Sequence, residues 1–313
     1  MNLQQLRYID EVLRQGLNIS AAAEALFTSQ PGVSKQIRQL EAELGIHIFV
    51  RQGKRLVEVT EPGRQVLAIA GRILADLDNL RQVGDEFTNR TAGNLAIATT
   101  HTQARYVLPR VIRLFTERYP QVVLSLHQGS PQQACDLVLA GEADLAIATE
   151  AIADQEELLM LPCYRWNRCV IAPLGHPILD VERLTLAEIA RWPIITYDFA
   201  FTGRSQINQA FSAAGLEPRV MLTAVDADVI KTYVGMGLGI GILARMAYEA
   251  DLDRGLGMLD AGHLFEVSLT RIGLRRNAWL RGYVFDFIEL FAPHLTRQAV
   301  EAAAAGGEAS SEI

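Results

Sequence analysis

Cysteine is scarce in this chain: Cys135, Cys163 and Cys169 are the only three among 313 residues. An odd count at these spacings fits no disulfide framework and no common zinc pattern. The expectation is three reduced, buried thiols, with a redox-sensing pair as the alternative. HExxH, CxxC and GxSxG are all missing, and His101, His127, His176 and His263 are scattered. An enzyme needs a nucleophile with its base, or a metal set, so no catalytic residue, no metal ligand and no built-in cofactor is expected. No apolar run reaches the ~20 residues that cross a bilayer, which excludes a membrane partner. The opening MNLQQLRYIDEVL reads as an amphipathic helix burying Leu3, Leu6, Ile9 and Leu13, not as a basic segment before an apolar core, so a cytoplasmic location is expected.

What is present begins between Asn18 and Phe49. Ala21, Ala22, Ala25 and Leu26 make one short helical stripe, and Val33, Ile37, Leu40 and Leu44 make a second at the spacing of a buried helix face. Between them Ser29 suits an N-cap, Pro31 falls in the first turn where its missing N–H does no harm, and Gly45 suits a left-handed C-terminal cap. Two small-residue helices joined this tightly form a helix-turn-helix. The second helix then exposes Gln30, Ser34, Lys35, Arg38 and Gln39, the side-chain types that contact phosphates and base edges. Arg51-Gln52-Gly53-Lys54-Arg55 joins two extended segments, Ile46 to Val50 and Leu56 to Thr60, as a basic hairpin or wing.

The formal charge of −7 argues against nucleic acid only until it is divided along the chain. Residues 1–60 hold seven Lys/Arg against six Asp/Glu, so this module is close to neutral with its cations on one edge. Residues 61–88 then carry a helical pattern with Val66, Ile69, Ala70, Ile73, Leu77 and Leu80 apolar. One such helix finds little to pack on, so it is expected to pair with its copy in a dimer; an inter-domain spacer is the alternative. Asp85 to Gly93 is polar and marks a hinge.

From residue 89 to 300 strands and helices alternate, which predicts a parallel sheet with helices on both faces, repeated in two α/β subdomains. Strands are expected at Leu95 to Ala98, Val122 to His127, Asp144 to Ala148, Leu158 to Tyr164, Arg168 to Ala172, Ile194 to Tyr197, Val220 to Thr223, Gly239 to Leu243 and Leu264 to Leu274. The tail, 301–313, is low in complexity and acidic, and is expected to be disordered. Three strand ends are rich in hydroxyls at helix starts: Thr99-Thr100-His101-Thr102-Gln103, Thr149, and Phe201-Thr202-Gly203. Hydroxyls, an amide and helix N-termini with few cations suit a small anion or carboxylate. Each threonine alone is equally an ordinary N-cap. A solute-binding protein would account for the two-lobed part but not for the winged module.

Leu6, Ala21-Ala22, Leu26, Ser29-Gln30-Pro31, Ser34, Ile37, Leu40-Glu41, Leu44-Gly45, Phe49, Arg51, Thr60 and Gly63 resemble the signature of LysR-type transcriptional regulators. The segments ATTHTQARYVLP (98–109), HQGSPQ (127–132), ADLAIATEA (143–151), MLPCYRWNR (160–168), FTGRS (201–205), DADVIKTYVGMGLGIGIL (226–243) and APHLTR (292–297) resemble the CysB branch of that family. The resemblance implies a winged helix-turn-helix, a dimerising linker helix and an effector domain like periplasmic binding proteins. It implies a regulator of sulfur assimilation and cysteine synthesis genes, or of another sulfur-source or organosulfur pathway, acting on double-stranded promoter DNA with RNA polymerase as a homodimer or homotetramer. Ser29, Gln30, Pro31, Ser34, Lys35, Arg38, Arg51, Lys54 and Arg55 would face DNA. Thr100, Thr102, Gln103, Thr149, Thr202 and Gly203, with Trp166 as a wall, would hold an effector such as N-acetylserine, sulfate, thiosulfate or adenosine phosphosulfate.

Overall fold

A computed structural model of the chain describes residues 1–53, 55–88, 91–149, 157–198 and 204–306. The chain divides into two compact units, Met1–Asp85 and Glu86–Ile313.

The first unit begins with α1 (Leu3–Arg14), α2 (Ile19–Ala25) and α3 (Gln30–Leu44). Asn2 caps α1 through a reciprocal box with Gln5, Asn18 accepts from the amides of Ser20 and Ala21, and Ser29 accepts from Gly32 N at 3.3 Å. Gly45 ends α3 at φ 69°, a conformation open to glycine without strain. Leu6, Ile9, Val12, Ile19, Ala22, Val33, Ile37 and Leu40 meet in one core. Its registration differs from the sequence expectation at several points. Leu3 and Leu13 are each 43% exposed, because the capping box turns Gln5 and Tyr8 inward and rotates the buried stripe of α1. Ala23 is buried in place of Ala25, and Leu44 is left exposed at the last turn of α3.

The wing is β1 (Phe49–Gln52) paired antiparallel with β2 (Arg55–Val59), and it leads into α4 (Glu61–Thr88). Buried Glu41 accepts from the amides of Ile48 at 2.9 Å and Phe49 at 3.3 Å, and pairs with Arg51 at 3.3 Å. One carboxylate therefore ties α3 to the base of the wing. At the other end of the wing, the first turn of α4 passes so close to Ile48 that a Cβ on Gly63 would stand 2.1 Å from its carbonyl oxygen. The helical pattern does not lapse at Asp85; α4 continues to Thr88.

The second unit holds two five-stranded sheets. Its elements are β3 (Ala92–Thr99), α5 (Leu108–Arg118), β4 (Gln121–Gln128), α6 (Pro131–Leu139), β5 (Leu145–Thr149), β6 (Leu158–Trp166), β7 (Arg168–Pro173), α7 (Leu186–Ala190), β8 (Ile194–Tyr197), α8 (Arg204–Ala213), β9 (Val220–Ala224), α9 (Ala227–Gly235), β10 (Ile240–Ala244), β11 (Leu256–Asp260), β12 (Ser268–Arg275), α10 (Gly282–Phe291) and α11 (Arg297–Ala304). Subdomain I has strand order β4-β3-β5-β12-β6 and subdomain II has β11-β7-β10-β8-β9.

The sheets are mixed, not wholly parallel as the alternation of elements suggests. In each, one strand runs against its neighbours: β12 against β5 and β6, and β7 against β10 and β11. These are the strands that arrive from the other subdomain. The parallel strands end at the boundary between the halves, and a strand entering there must run the opposite way. A further departure lies at the C-terminus, where residues 301–304 belong to α11 rather than to a disordered tail. Val300 and Ala303 are buried against α10 and β6, which gives this alanine-rich helix a face to pack. Residues 307–313 lie outside the described ones.

Each thiol is buried and free. Burial raises Cys135 to about 11 and Cys163 and Cys169 to about 12, so all three stay protonated at neutral pH. The redox-sensing alternative lacks the exposed thiolate that it needs. Native protein is expected to give no fast reaction with a thiol reagent at pH 8, and three equivalents once unfolded. Replacing Glu41 by Ala leaves two buried amides and Arg51 without their acceptor. It is expected to destabilise the first unit by about 2–4 kcal/mol in urea unfolding.

Candidate functional site

In the first unit, Gln30, Pro31, Lys35, Arg38 and Gln39 are exposed on α3, and Ser29 is exposed at its cap. Ser34 is not: it is 5% exposed and accepts a hydrogen bond from Arg38 Nη2 at 3.0 Å. Its small side chain lies toward the core edge and orients the arginine. Arg51, near the turn end of β1, is partly exposed and pairs with Glu41 at 3.3 Å. Arg55 is exposed in β2, and Lys54 lies outside the described residues. Phe27, in the turn before α3, is 98% exposed at φ 49°, a feature that hydrophobic patterning does not suggest.

In the second unit, the chain crosses between the sheets at Asn167 and again at 261–267. Asn167 Nδ2 donates to the carbonyl of Gly262 at 2.8 Å, joining the two crossings. Arg168, 2% exposed, donates to Glu266 O at 2.9 Å, Ser268 Oγ at 3.0 Å and Gln206 Oε1 at 2.5 Å, and its guanidinium lies 5.3 Å from the centre of the Trp166 ring. The crossings therefore form a stiff double hinge.

Beside that hinge lies a small cavity of about 20 Å³ lined by Thr100, Thr102, Gln103, Thr149, Trp166, Tyr197, Val225 and Ala244. The structure thus brings together five of the seven expected effector residues; Thr202 and Gly203 lie outside the described residues. Gln103 opens a π-helical turn, Gln103–Val107, of the kind that recurs at functional sites. Its amide is fixed from both ends: Tyr164 Oη donates to Oε1, and Nε2 donates to Thr270 Oγ1 at 3.3 Å. Trp166 Nε1 also donates to Thr270 Oγ1, at 3.1 Å. Tyr164, Thr270 and Tyr197 were not among the expected site residues. The available signal was in β12, where Ser268 and Thr270 carry fully buried hydroxyls.

Thr102 makes no cap hydrogen bond, so the ordinary N-cap explanation does not hold for it. Thr100 and Thr149 are 7% and 2% exposed, and among the described residues their hydroxyls make no hydrogen bond. The first-turn amides after Thr100 have no carbonyl one turn back. Burial pushes the phenols of Tyr164 and Tyr197 up to about 12, so both remain neutral donors. A buried set of neutral donors at a helix start suits a small anion.

The nearby cations are engaged elsewhere. Asp228, at the start of α9 in subdomain II, accepts from Tyr106 Oη at 2.5 Å and lies 3.5 Å from both His101 Nε2 and Arg105 Nε of subdomain I. Lys231 supports it at 3.2 Å and is itself held by Asp253 at 3.1 Å. His101 thus acts as a hydrogen-bonding neighbour, with Nδ1 3.1 Å from Gln128 Oε1. Partial burial acts to raise the Asp228 pKa, but the Tyr106 hydroxyl, Lys231 and His101 outweigh it and hold the carboxyl below its ordinary value.

A winged helix-turn-helix unit followed by a hinged, two-subdomain ligand-binding unit defines a one-chain transcriptional regulator. Residues 3–64 match the family model described as bacterial regulatory helix-turn-helix protein, lysR family, and residues 88–296 match the LysR substrate binding domain. The chain belongs to the LysR family of transcriptional regulators. It is 55% identical over 300 residues to the HTH-type transcriptional regulator SsuR of Burkholderia cenocepacia, covering 96% of this chain and 97% of that one. It is 50% identical over 313 residues to CysB of the same organism, covering 100% of both. Among solved structures, the cofactor-binding domain of the Cbl transcriptional regulator matches at 44% identity and TM-score 0.66, covering 69% of this chain and 95% of that one.

The Asp228 contacts bridge the subdomains, and their sign with pH is fixed. The folded-state pKa is depressed, so the contribution is present above the unfolded value of about 3.9 and is lost as pH falls through the folded value. Asp228→Asn is expected to lower the melting temperature at neutral pH and to reduce its further fall in acid. Parallel wild-type and variant curves in circular dichroism melts would contradict this.

Proposed function

We propose that this chain is a cytoplasmic regulator of sulfur assimilation and cysteine synthesis genes. A small anionic effector held between the subdomains would control how α3 and the wing engage promoter DNA. The observation that carries the effector reading is the convergence of Thr100 and Thr149, from the ends of β3 and β5, on one small cavity. Gln103 stands beside them at a helix start. N-acetylserine, sulfate, thiosulfate and adenosine phosphosulfate all carry an anionic group that such donors recognise. A second reading is regulation of another sulfur-source or organosulfur pathway through the same cleft.

A cavity of about 20 Å³ has room for about one water, so ligand entry requires the subdomains or the cleft side chains to part. Asp228 and its partners oppose that opening. The effector then acts by shifting the balance of cleft arrangements. Ile69 and Leu80 are 48% and 70% exposed on α4, which supports pairing of this helix with a second copy in a homodimer or, through further contacts, a homotetramer. RNA polymerase is the partner that the family resemblance supplies.

Two substitutions separate the functions. Arg38→Ala is expected to weaken promoter DNA binding by about tenfold while sparing effector binding. Thr102→Val is expected to do the reverse, read by calorimetric titration of the full chain with the four sulfur-linked compounds and by gel shift. Binding of none of the four by the wild type would remove the sulfur-linked reading and leave DNA binding standing.

A further inference from the structure

Among the described residues, two side chains of subdomain I pack against the core that β7, β8, β10 and α9 build in subdomain II. One is Trp166, beside the crossing at Asn167. The other is Tyr106, from the turn that follows β3. Its hydroxyl donates to Asp228 Oδ1 at 2.5 Å, Lys231 Nζ lies 5.0 Å from the centre of its ring, and the turn that carries it packs on Arg245–Ala247. Burial and the Asp228 carboxylate hold the phenol far above its ordinary value, so the hydroxyl stays a donor.

The backbone explains how this side chain reaches across. Gln103–Val107 is a π-helical turn, closed by a hydrogen bond from the Leu108 amide to the Gln103 carbonyl, five residues back. In an α-helix, residues three apart are neighbours on one face. The wider π turn spreads them. Gln103 is held within subdomain I by Tyr164 and Thr270, while Tyr106 is held by subdomain II. One turn is thereby anchored in both subdomains. Gln103 lines the cleft cavity and Tyr106 does not, so Tyr106 has no contact to offer a bound anion. What it can govern is whether the two walls stay together.

We propose that Tyr106 is the gate of the cleft: its side chain, seated on subdomain II and bonded to Asp228, must withdraw before a ligand enters or leaves. The gate rests on the effector reading given above only for the identity of that ligand. The same contact closes the empty and the filled cleft, so its contribution cancels in the affinity and appears in both rates. Tyr106→Phe keeps the ring and removes the bond to Asp228. It is expected to raise the association and dissociation rates of an anion about tenfold each and to leave Kd within about twofold. Stopped-flow fluorescence reads both rates through Trp166, in the full chain carrying Trp192→Phe and Trp279→Phe, with N-acetylserine, sulfate, thiosulfate and adenosine phosphosulfate as probes. Tyr119→Phe removes a hydroxyl that donates to Asp286 within subdomain I, and is expected to change neither rate. Acrylamide quenching of Trp166 tests the gate with no ligand present. Tyr106→Phe, and more strongly Tyr106→Ala, is expected to raise the quenching constant at unchanged far-ultraviolet circular dichroism. Binding of none of the four probes would remove the effector reading, and a raised quenching constant would still support the gate. Unchanged quenching in Tyr106→Phe would overturn the gate. So would a weakened affinity with an unaltered association rate, or the same rise in rates in Tyr119→Phe.

Discussion

The chain passes twice between its two sheets, and the second unit depends on the way those passages are tied. Asn167 joins the first crossing to Gly262 in the second, and the buried Arg168 reaches carbonyl, hydroxyl and amide groups on the returning strand and on α8. A buried cation is costly unless its donors are satisfied, so these contacts hold the crossings in one arrangement. That arrangement fixes the strand directions. It makes β7 and β12 run against their neighbours, and it places Trp166 and Thr270 side by side at the mouth of the cleft.

The binding chemistry follows from the same constraint. Thr270 accepts from both Gln103 and Trp166, and Gln103 is gripped in turn by Tyr164. These three side chains come from β12 and β6, whereas Gln103 belongs to the π-helical turn after β3. Three segments far apart in sequence therefore preorganise one amide, and Thr100 and Thr149 line the same cavity. Preorganised neutral donors hold an anion without the permanent positive charge that would also attract nucleic acid phosphate. Cations near the cleft are instead committed to Asp228, where they link the subdomains.

Local signals made much of this readable in the sequence. Ser29, Pro31 and Gly45 act within one turn of their own position, and all three sit where capping rules put them. Thr100, Gln103 and Thr149 were legible because strand ends and helix starts recur at known offsets in α/β sheets. What escaped was set by distant contacts. The antiparallel course of β12 depends on where the chain re-enters the first sheet, and the burial of Ser34 depends on the rotation of α3 against its neighbours. The pairing of Arg51 with the buried Glu41 was likewise out of reach, because the two are ten residues apart. The α11 helix escaped because its composition is that of a low-complexity tail, and only the packing of Val300 and Ala303 makes it a helix with a face.

The central claim is that the cleft takes a small anion on its hydroxyls and helix start. Crystals of the protein grown with selenate, a sulfate analogue visible by anomalous scattering, test it most directly. A selenium peak is expected within hydrogen-bond distance of the Thr100 and Thr149 hydroxyls and beside Gln103. Selenium peaks confined to surface arginines, with none in the cleft, would contradict it.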